Sequence, residues 1–389
     1  MSTHPWIDFD AGVVQRMDAR SWMRIGEAYA LCAELSGTPL VPAAAARLHE
    51  VALVRGAQAT VAIEGNTLTV EQVEGIRSGA FSAPDSRAYQ ERQVRNVLDA
   101  FVRLNEMVMS DREIRLSSGL VCDLNRWVLD GVDPDVESEP GTIRTHSVAA
   151  GLYLGPPARD CQYLLERLVD WIDSDAFRPQ SGGAEERRDA FALCVLSALF
   201  AHVYIAWIHP FADGNGRTAR LLEYLILARS GMIPLAAANL MANHFNLTRD
   251  RYCQRLAAAS RERDVLGFLA YGVEGLVDGL SDHSAAVREQ HLHLAWASYV
   301  AEVMSTFPTS PASERQHALV IALKQGESVP RVDVPGLTPQ LAQMYARTGP
   351  RTIARDLNRL KDAGLIEVDR RGVRPRIDLM SAFLLPTSN

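Results

Sequence analysis

Apolar residues recur every third or fourth position along most of the chain, as in Cys161-Gln-Tyr-Leu-Leu-Glu-Arg-Leu-Val-Asp-Trp-Ile172. That spacing lines one face of an α-helix, so a mainly α fold is expected. An early helix is predicted to start after Pro42, run from Ala43 to Ile63 and stop near Gly65, which can take the left-handed conformation that closes helices. Thr69 followed by Gln72 has the form of a capping box, which makes Glu64-Gly65-Asn66 a tight junction between two helices. Residues 138–157 break the helical pattern with several Gly and Pro around Ser147-Val-Ala-Ala-Gly-Leu-Tyr153, and read as a short hairpin or extended flap. The run from Ala192 to Ile208 is apolar almost throughout. It falls short of the roughly 20 residues a membrane span needs, contains His202 and leads into His209-Pro210 without basic flanks, so a buried core helix and no membrane partner are expected.

The helical pattern is interrupted again at Phe307-Pro-Thr-Ser-Pro311. Beyond it, helices are predicted over Glu314–Lys324, Thr338–Ala346 and Gly349–Ala363, followed by extended segments at Leu365–Val368 and Val373–Ile377. This order resembles a winged helix-turn-helix domain. Its third helix carries Arg351, Arg355, Arg359 and Lys361, and the segment after it carries Arg370, Arg371, Arg374 and Arg376. A basic surface of that kind could lie along DNA or dock another protein. The domain boundaries read from these breaks are an N-terminal helical region over 1–110, a core over 111–280, a connecting helix and linker over 281–311, and a C-terminal domain over 312–389.

The chain has 389 residues and a formal net charge of −7, which argues against nucleic-acid binding by the whole surface. Met1 to Asp10 lack the basic-then-apolar pattern of a secretory signal, so a cytoplasmic location is expected. Cys32, Cys122, Cys161, Cys194 and Cys253 are odd in number and lack CxxC spacing, which fits reduced packing residues. His283, His291 and His293 are read as surface histidines rather than metal ligands.

The segment with the densest chemistry is His209-Pro-Phe-Ala-Asp-Gly-Asn-Gly-Arg-Thr-Ala-Arg220, between the apolar run and a second apolar helix over Leu221–Ala228. Gly214 and Gly216 let main-chain N–H groups approach a ligand at the positive end of a helix, a ready phosphate cradle. Arg217 and Arg220 share a helical face and can both reach phosphate oxygens. Asp213 is placed to hold a magnesium ion that also binds those oxygens. His209 can accept a proton from an attacking hydroxyl near neutral pH.

This string resembles the Fic signature HxFx(D/E)GNGRxxR at every specified position, and the resemblance extends from about Gly65 to Leu276. It implies a helical core with a hairpin flap matching Gly141-Thr-Ile-Arg-Thr-His-Ser-Val148. By the same resemblance His209 is the general base, Asp213 binds Mg2+, Gly214-Asn215-Gly216 form the anion hole, Arg217 and Arg220 contact the outer phosphates of ATP, and Phe211 packs. The implied activity is AMP transfer from ATP to a Ser, Thr or Tyr hydroxyl of a target protein, the chain itself included. Relatives that phosphorylate carry Lys at the motif's last glycine, which here is Gly216. Val148, Ala149, Ala150 and Gly151 match the flap that holds the target's main chain, and Arg249 and Tyr252 match a pattern near the adenine pocket, with Cys253 replacing a second aromatic. Thr60-Val-Ala-Ile-Glu-Gly-Asn66 is similar to the family's inhibitory motif (S/T)xxxE(G/N), involving Thr60, Glu64 and Gly65. The resemblance implies that Glu64 pairs with Arg220 and denies it to ATP; in some relatives the matching glutamate also supports AMP removal. Two alternatives stay open, a de-AMPylase using Glu64 and a DNA-binding regulator whose core senses nucleotide. Pairing of two copies is also left open.

Overall fold

The computed structural model describes residues 6–110, 114–132, 139–150, 153–179, 184–324 and 326–380. The chain divides into two compact units, Met1–Ser284 and Ala285–Asn389.

The first unit is helical. Its elements are α1 (Ala19–Gly37), α2 (Pro42–Ala62), α3 (Val70–Ser78), α4 (Ala88–Ser110), α5 (Ser118–Leu129), the hairpin strands β1 (Ala149–Ala150) and β2 (Tyr153–Leu154), then α6 (Ala158–Ile172), α7 (Ala184–Ile208), α8 (Asn215–Arg229), α9 (Leu240–Leu247), α10 (Arg249–Glu262) and the first part of α11 (Leu266–Ser305). α7 and α8 form the central pair. α8 is buried on nearly every side from Arg217 to Ala228, because helices α4, α5 and α7 all pack against it. α7 is long and apolar enough to cross a membrane by length and composition, but 83% of its most apolar window is buried by the surrounding helices. Burial inside a helical layer explains its apolarity on all sides.

α2 begins with Pro42 in its first turn, where a missing N–H costs nothing. It ends as predicted at a tight junction, where Gly65 has φ 95°. The buried Asn66 holds that junction: its Oδ1 accepts from the Leu68 N–H at 3.0 Å, and its Nδ2 donates to the Gln90 carbonyl at 2.9 Å. Thr69 and Gln72 form the expected reciprocal capping box at the start of α3. The flap strands pair antiparallel with Ala149 opposite Leu154. The Tyr153 hydroxyl donates to the Trp207 carbonyl at 2.6 Å, tying the flap to the end of α7.

The second unit contains the remainder of α11, then α12 (Pro311–Ala322), α13 (Pro339–Tyr345), α14 (Pro350–Asp362) and an antiparallel hairpin of β3 (Ile366–Val368) and β4 (Val373–Pro375). Its core includes Trp296, Val300, Leu319, Leu341, Leu357 and Ile366. Asp356, buried at the centre, accepts hydrogen bonds from Arg315 Nε, Gln316 Nε2 and the Tyr345 hydroxyl at 2.7, 2.7 and 3.0 Å, so its charge is met from three sides. Arg351, Arg355 and Lys361 are exposed on α14. The basic surface is partly neutralised: Arg374 pairs with Glu367, Arg376 lies 3.6 Å from Asp378, and Arg359 stacks over the Phe307 ring at 4.3 Å. His283, read as a surface residue, is half-buried instead, and burial holds its imidazole below the ordinary value.

Candidate active site

The segment from His209 to Gly214 connects α7 to α8 and is held by its own side chains. Asn215 clamps it from inside: its Oδ1 accepts from the Phe211 N–H at 3.0 Å and its Nδ2 donates to the Phe211 carbonyl at 2.8 Å. Phe211 itself is buried in the core. Gly214 precedes α8 in the left-handed region, φ 78°, and its N–H donates to Asp213 Oδ1 at 2.6 Å. Arg217 Nη2 donates to the other Asp213 oxygen at 3.0 Å. From α5, Asn125 Nδ2 donates to the Asp213 carbonyl at 2.9 Å, while its Oδ1 accepts from the Gly141 N–H at 2.9 Å.

His209 has φ 46°, a left-handed conformation that is uncommon for a residue with a side chain. The surrounding contacts enforce it. Arg144, buried between flap and loop, donates from Nε to the His209 carbonyl at 2.7 Å, from Nη1 to the His146 carbonyl at 2.7 Å and from Nη2 to the Pro156 carbonyl at 2.6 Å. Its main-chain N–H donates to the Pro210 carbonyl at 2.9 Å. Burial pushes the His209 imidazole below its ordinary value of 6.5, which keeps it neutral and able to accept a proton.

Arg220 is turned toward the end of α2. Its Nη2 donates to Glu64 Oε1 at 2.6 Å and to the Thr60 carbonyl at 2.8 Å. Arg249, at the start of α10, donates from Nε to the Ile63 carbonyl at 2.8 Å, so two arginines meet carbonyls at the end of α2, those of Thr60 and Ile63. Burial raises the Glu64 carboxyl, but the charge and hydrogen bond of Arg220, with Arg217 and Arg249 behind it, outweigh that and hold it below its ordinary value of 4.5. The Glu64 side chain keeps 39% of its surface exposed while that of Arg220 keeps 1%. Gly216 leaves room for this approach, since a Cβ there would displace the Glu64 carboxylate.

The sequence-predicted residues are thus brought together, with differences in detail. Thr60 meets Arg220 through its carbonyl, not its side chain; Thr60 Oγ1 is buried without a protein partner. Arg217 faces Asp213, whereas Arg220 faces Glu64. Tyr252 points inward: it is buried, stacks on Phe245 with centroids 5.0 Å apart, and its hydroxyl contacts His202 Nε2 at 2.9 Å and Arg220 Nη1 at 3.4 Å. Val148, Ala149 and Ala150 lie at the start of the hairpin, and Gly151 lies outside the described residues. The sequence reading assigned no role to Arg144, Asn125, His202 or Glu223. His202 and Glu223 had a signal, since a charged or polar residue inside an otherwise apolar run requires a buried partner. Shape alone would have pointed elsewhere: a cavity of about 830 Å³ lined by Arg115, Asp173, Cys194 and Arg229 lies at the far end of α8.

The arrangement fits a phosphate ligand. Arg217 Nε and Arg220 Nε are both buried without a protein partner, leaving N–H groups for anionic oxygens. Magnesium takes one or two carboxylates plus ligand oxygens. Asp213 retains 55% of its side-chain surface, and no group of three or more His, Cys, Asp or Glu gathers among the described residues. That donor set suits an ion arriving with phosphate oxygens rather than one held by protein alone.

Fold and site together define a helical protein built around a loop whose N–H groups and arginines suit a phosphate ligand, with an imidazole beside it. Residues 115–227 match the Fic/DOC family, and the chain carries a Fic domain. It is 34% identical over 179 residues to protein adenylyltransferase fic-1 of Caenorhabditis briggsae, a stretch that covers 45% of this chain and 32% of that protein. The chain spans less than half the length of the curated relatives it matches. Among solved structures, a fragment of Fic-1 from C. elegans is similar with TM-score 0.57 and 25% identity over 69% of this chain and 73% of that one. A Fic family protein from Desulfovibrio desulfuricans shares the fold with TM-score 0.53 and 23% identity over 94% of both chains.

Proposed function

We propose that this chain is a protein adenylyltransferase, transferring AMP from ATP to a Ser, Thr or Tyr hydroxyl of a protein, and that Glu64 restrains it. The observation that carries the reading is an intact motif loop whose last arginine is already engaged by Glu64 at 2.6 Å. The relatives named protein adenylyltransferase support it. The hydroxyl oxygen attacks the α-phosphorus of ATP, a new P–O bond forms, the bond to the bridging oxygen of the β-phosphate breaks, and pyrophosphate leaves. His209 takes the hydroxyl proton at an imidazole nitrogen. The N–H groups of the 214–216 loop and Arg217 neutralise phosphate charge, and Arg220 joins them once Glu64 has withdrawn. A magnesium ion, held through Asp213, would supply further charge neutralisation. The flap at Val148–Ala150 presents main-chain groups to which an extended target segment can pair.

The test incubates wild type, Glu64→Gly and His209→Ala with α-labelled ATP, Mg2+ and cell lysate, and reads labelled protein. Labelling that rises in Glu64→Gly and disappears in His209→Ala is expected, the latter by roughly two to four orders of magnitude. An absence of labelling in every variant overturns the transfer reading and favours release of AMP from a premodified protein.

For the second unit we propose a DNA-docking role, supported by the exposed Arg351, Arg355 and Lys361 on α14 and by an order of three helices and a hairpin that a winged helix would have. The full chain should bind duplex DNA with an affinity that falls steeply with salt and with Arg351→Ala/Arg355→Ala. No binding at low salt sinks this role.

A further inference from the structure

Behind Arg220, away from Glu64, lies a line of buried polar groups that the transfer chemistry does not use. Glu223 is one turn along α8, and His202 and Tyr252 come from α7 and α10. Glu223 and His202 are buried to within 2% of completely, in a helix pair packed largely by apolar side chains. Glu223 Oε2 lies 2.6 Å from His202 Nδ1, His202 Nε2 lies 2.9 Å from the Tyr252 hydroxyl, and that hydroxyl lies 3.4 Å from Arg220 Nη1.

One assignment of protons satisfies every member. Arg220 can only donate, so the Tyr252 oxygen accepts from it. The Tyr252 hydroxyl then donates to His202 Nε2, which must be the unprotonated nitrogen, and His202 Nδ1–H donates to the Glu223 carboxylate. A doubly protonated His202 would leave the Tyr252 hydroxyl hydrogen without an acceptor in this chain of contacts. Burial also raises the Tyr252 hydroxyl, which stays protonated and available as donor. The chain runs in one direction, from the guanidinium to a carboxylate deep in the core. A fully satisfied buried network of this kind fixes side-chain orientation.

We propose that Glu223, His202 and Tyr252 form a positioning relay that holds the Arg220 guanidinium in the orientation that receives the outer phosphates of the nucleotide after Glu64 withdraws. This rests on the assignment of Arg220 as a phosphate ligand in AMP transfer. With Glu64 gone, Arg220 keeps, among the described residues, the Thr60 carbonyl and the Tyr252 hydroxyl as hydrogen-bond partners, and Glu223 becomes the carboxylate linked to it through the relay. The longest link is the one at Arg220, so the arginine is guided without being saturated, and its Nε remains unpartnered. Tyr252 therefore acts through Arg220 and not through the adenine ring.

The test measures ATP and AMP binding by calorimetry in the Glu64→Gly chain and in that chain carrying Tyr252→Phe, Glu223→Gln or Arg220→Ala. Phe at 252 keeps the stack on Phe245 and removes only the hydroxyl. Gln at 223 keeps an acceptor for His202 and removes the charge. Loss of an aligned charge-assisted hydrogen bond predicts ATP affinity weakened on the order of tenfold by Tyr252→Phe and less by Glu223→Gln, with AMP affinity unchanged in both. A merely structural role would weaken both ligands together. ATP affinity unchanged by Tyr252→Phe, where Arg220→Ala weakens it, overturns the relay alone. ATP affinity unchanged by Arg220→Ala overturns the relay and the phosphate role of Arg220 with it.

Discussion

The loop at 209–217 is clamped by its own side chains, with Asn125 and Arg144 supporting it from outside, whereas the end of α2 closes on residues far along the chain. Asn215 clamps Phe211 four positions back and Arg217 meets Asp213 four positions back, but Arg220, one turn further, meets Glu64 across 156 positions of sequence. Three positions along the helix take one arginine to the next, and the first makes its ion pair locally while the second makes it at long range. On the proposed function the local half is the phosphate cradle and the distant half sets whether that cradle is free to bind, so the two should respond differently to mutation.

Breaking the local half should have the largest effect. Asn215→Ala leaves the Phe211 N–H and carbonyl without their partner inside the fold, so unfolding stability should fall by about 2–4 kcal/mol and transfer should be lost with it. Chemical denaturation together with labelled transfer checks this; a stable, active variant would show that the loop does not depend on its own clamp. Breaking the distant half should raise activity. Glu64→Gly removes a coupling between two segments, which predicts about 5- to 150-fold faster transfer, together with a lower melting temperature because the buried Arg220 loses its carboxylate, read from initial rates and a thermal melt. Arg249→Ala removes one hydrogen bond to the Ile63 carbonyl, so it should raise transfer in the same direction but by less than about tenfold. Equal or greater activation would mean that the main-chain contact, and not Glu64, dominates.

The smallest effect concerns pH. Both groups have folded-state values below their ordinary ones, Glu64 below 4.5 and His209 below 6.5. For each, the contribution of the ionised carboxylate or neutral imidazole to stability is present above the unfolded value and is lost as pH falls through the folded one. Between about pH 5 and 7 Glu64 therefore stays charged, and the ratio of Glu64→Gly to wild-type rates should be flat while both rates fall in acid as His209 takes up a proton. A ratio that collapses near pH 6 would contradict a carboxylate held ionised by Arg220.

The same contrast explains what the sequence disclosed. Local features were readable because they are contiguous: the HxFx(D/E)GNGRxxR string, the Thr69–Gln72 capping box, the stop at Gly65 and the apolar α7 all carry their signal within a few positions. The Glu64–Arg220 pair was accessible only through a family resemblance, since nothing in spacing joins positions so far apart. Contacts to main-chain carbonyls were not readable at all. Any residue at 60 or 63 offers the same carbonyl, so the arginine partners of Thr60 and Ile63 leave no mark on residue identity there. Arg144 was hidden for the same reason, because all of its acceptors are backbone oxygens. Tyr252 matches a pattern near an adenine pocket, but a pattern specifies a side chain and not its partners, so the stack on Phe245 and the contacts to His202 and Arg220 were not readable.

The carbonyl contacts at the end of α2 have an electrostatic consequence. A helix carries about half a negative charge at its C-terminus and half a positive charge at its N-terminus. α2 brings its negative pole to Arg220 and Arg249, while α8 opens its positive pole into the loop proposed to bind phosphate. A nucleotide in the proposed site would thus meet attraction from one helix and repulsion from the other, separately from any side chain. Substituting Glu64 removes a full charge but leaves the pole of α2 in place. A chain with both Glu64→Gly and Arg249→Ala should therefore bind ATP more weakly than Glu64→Gly alone, because it has lost the positive charge that offsets that pole.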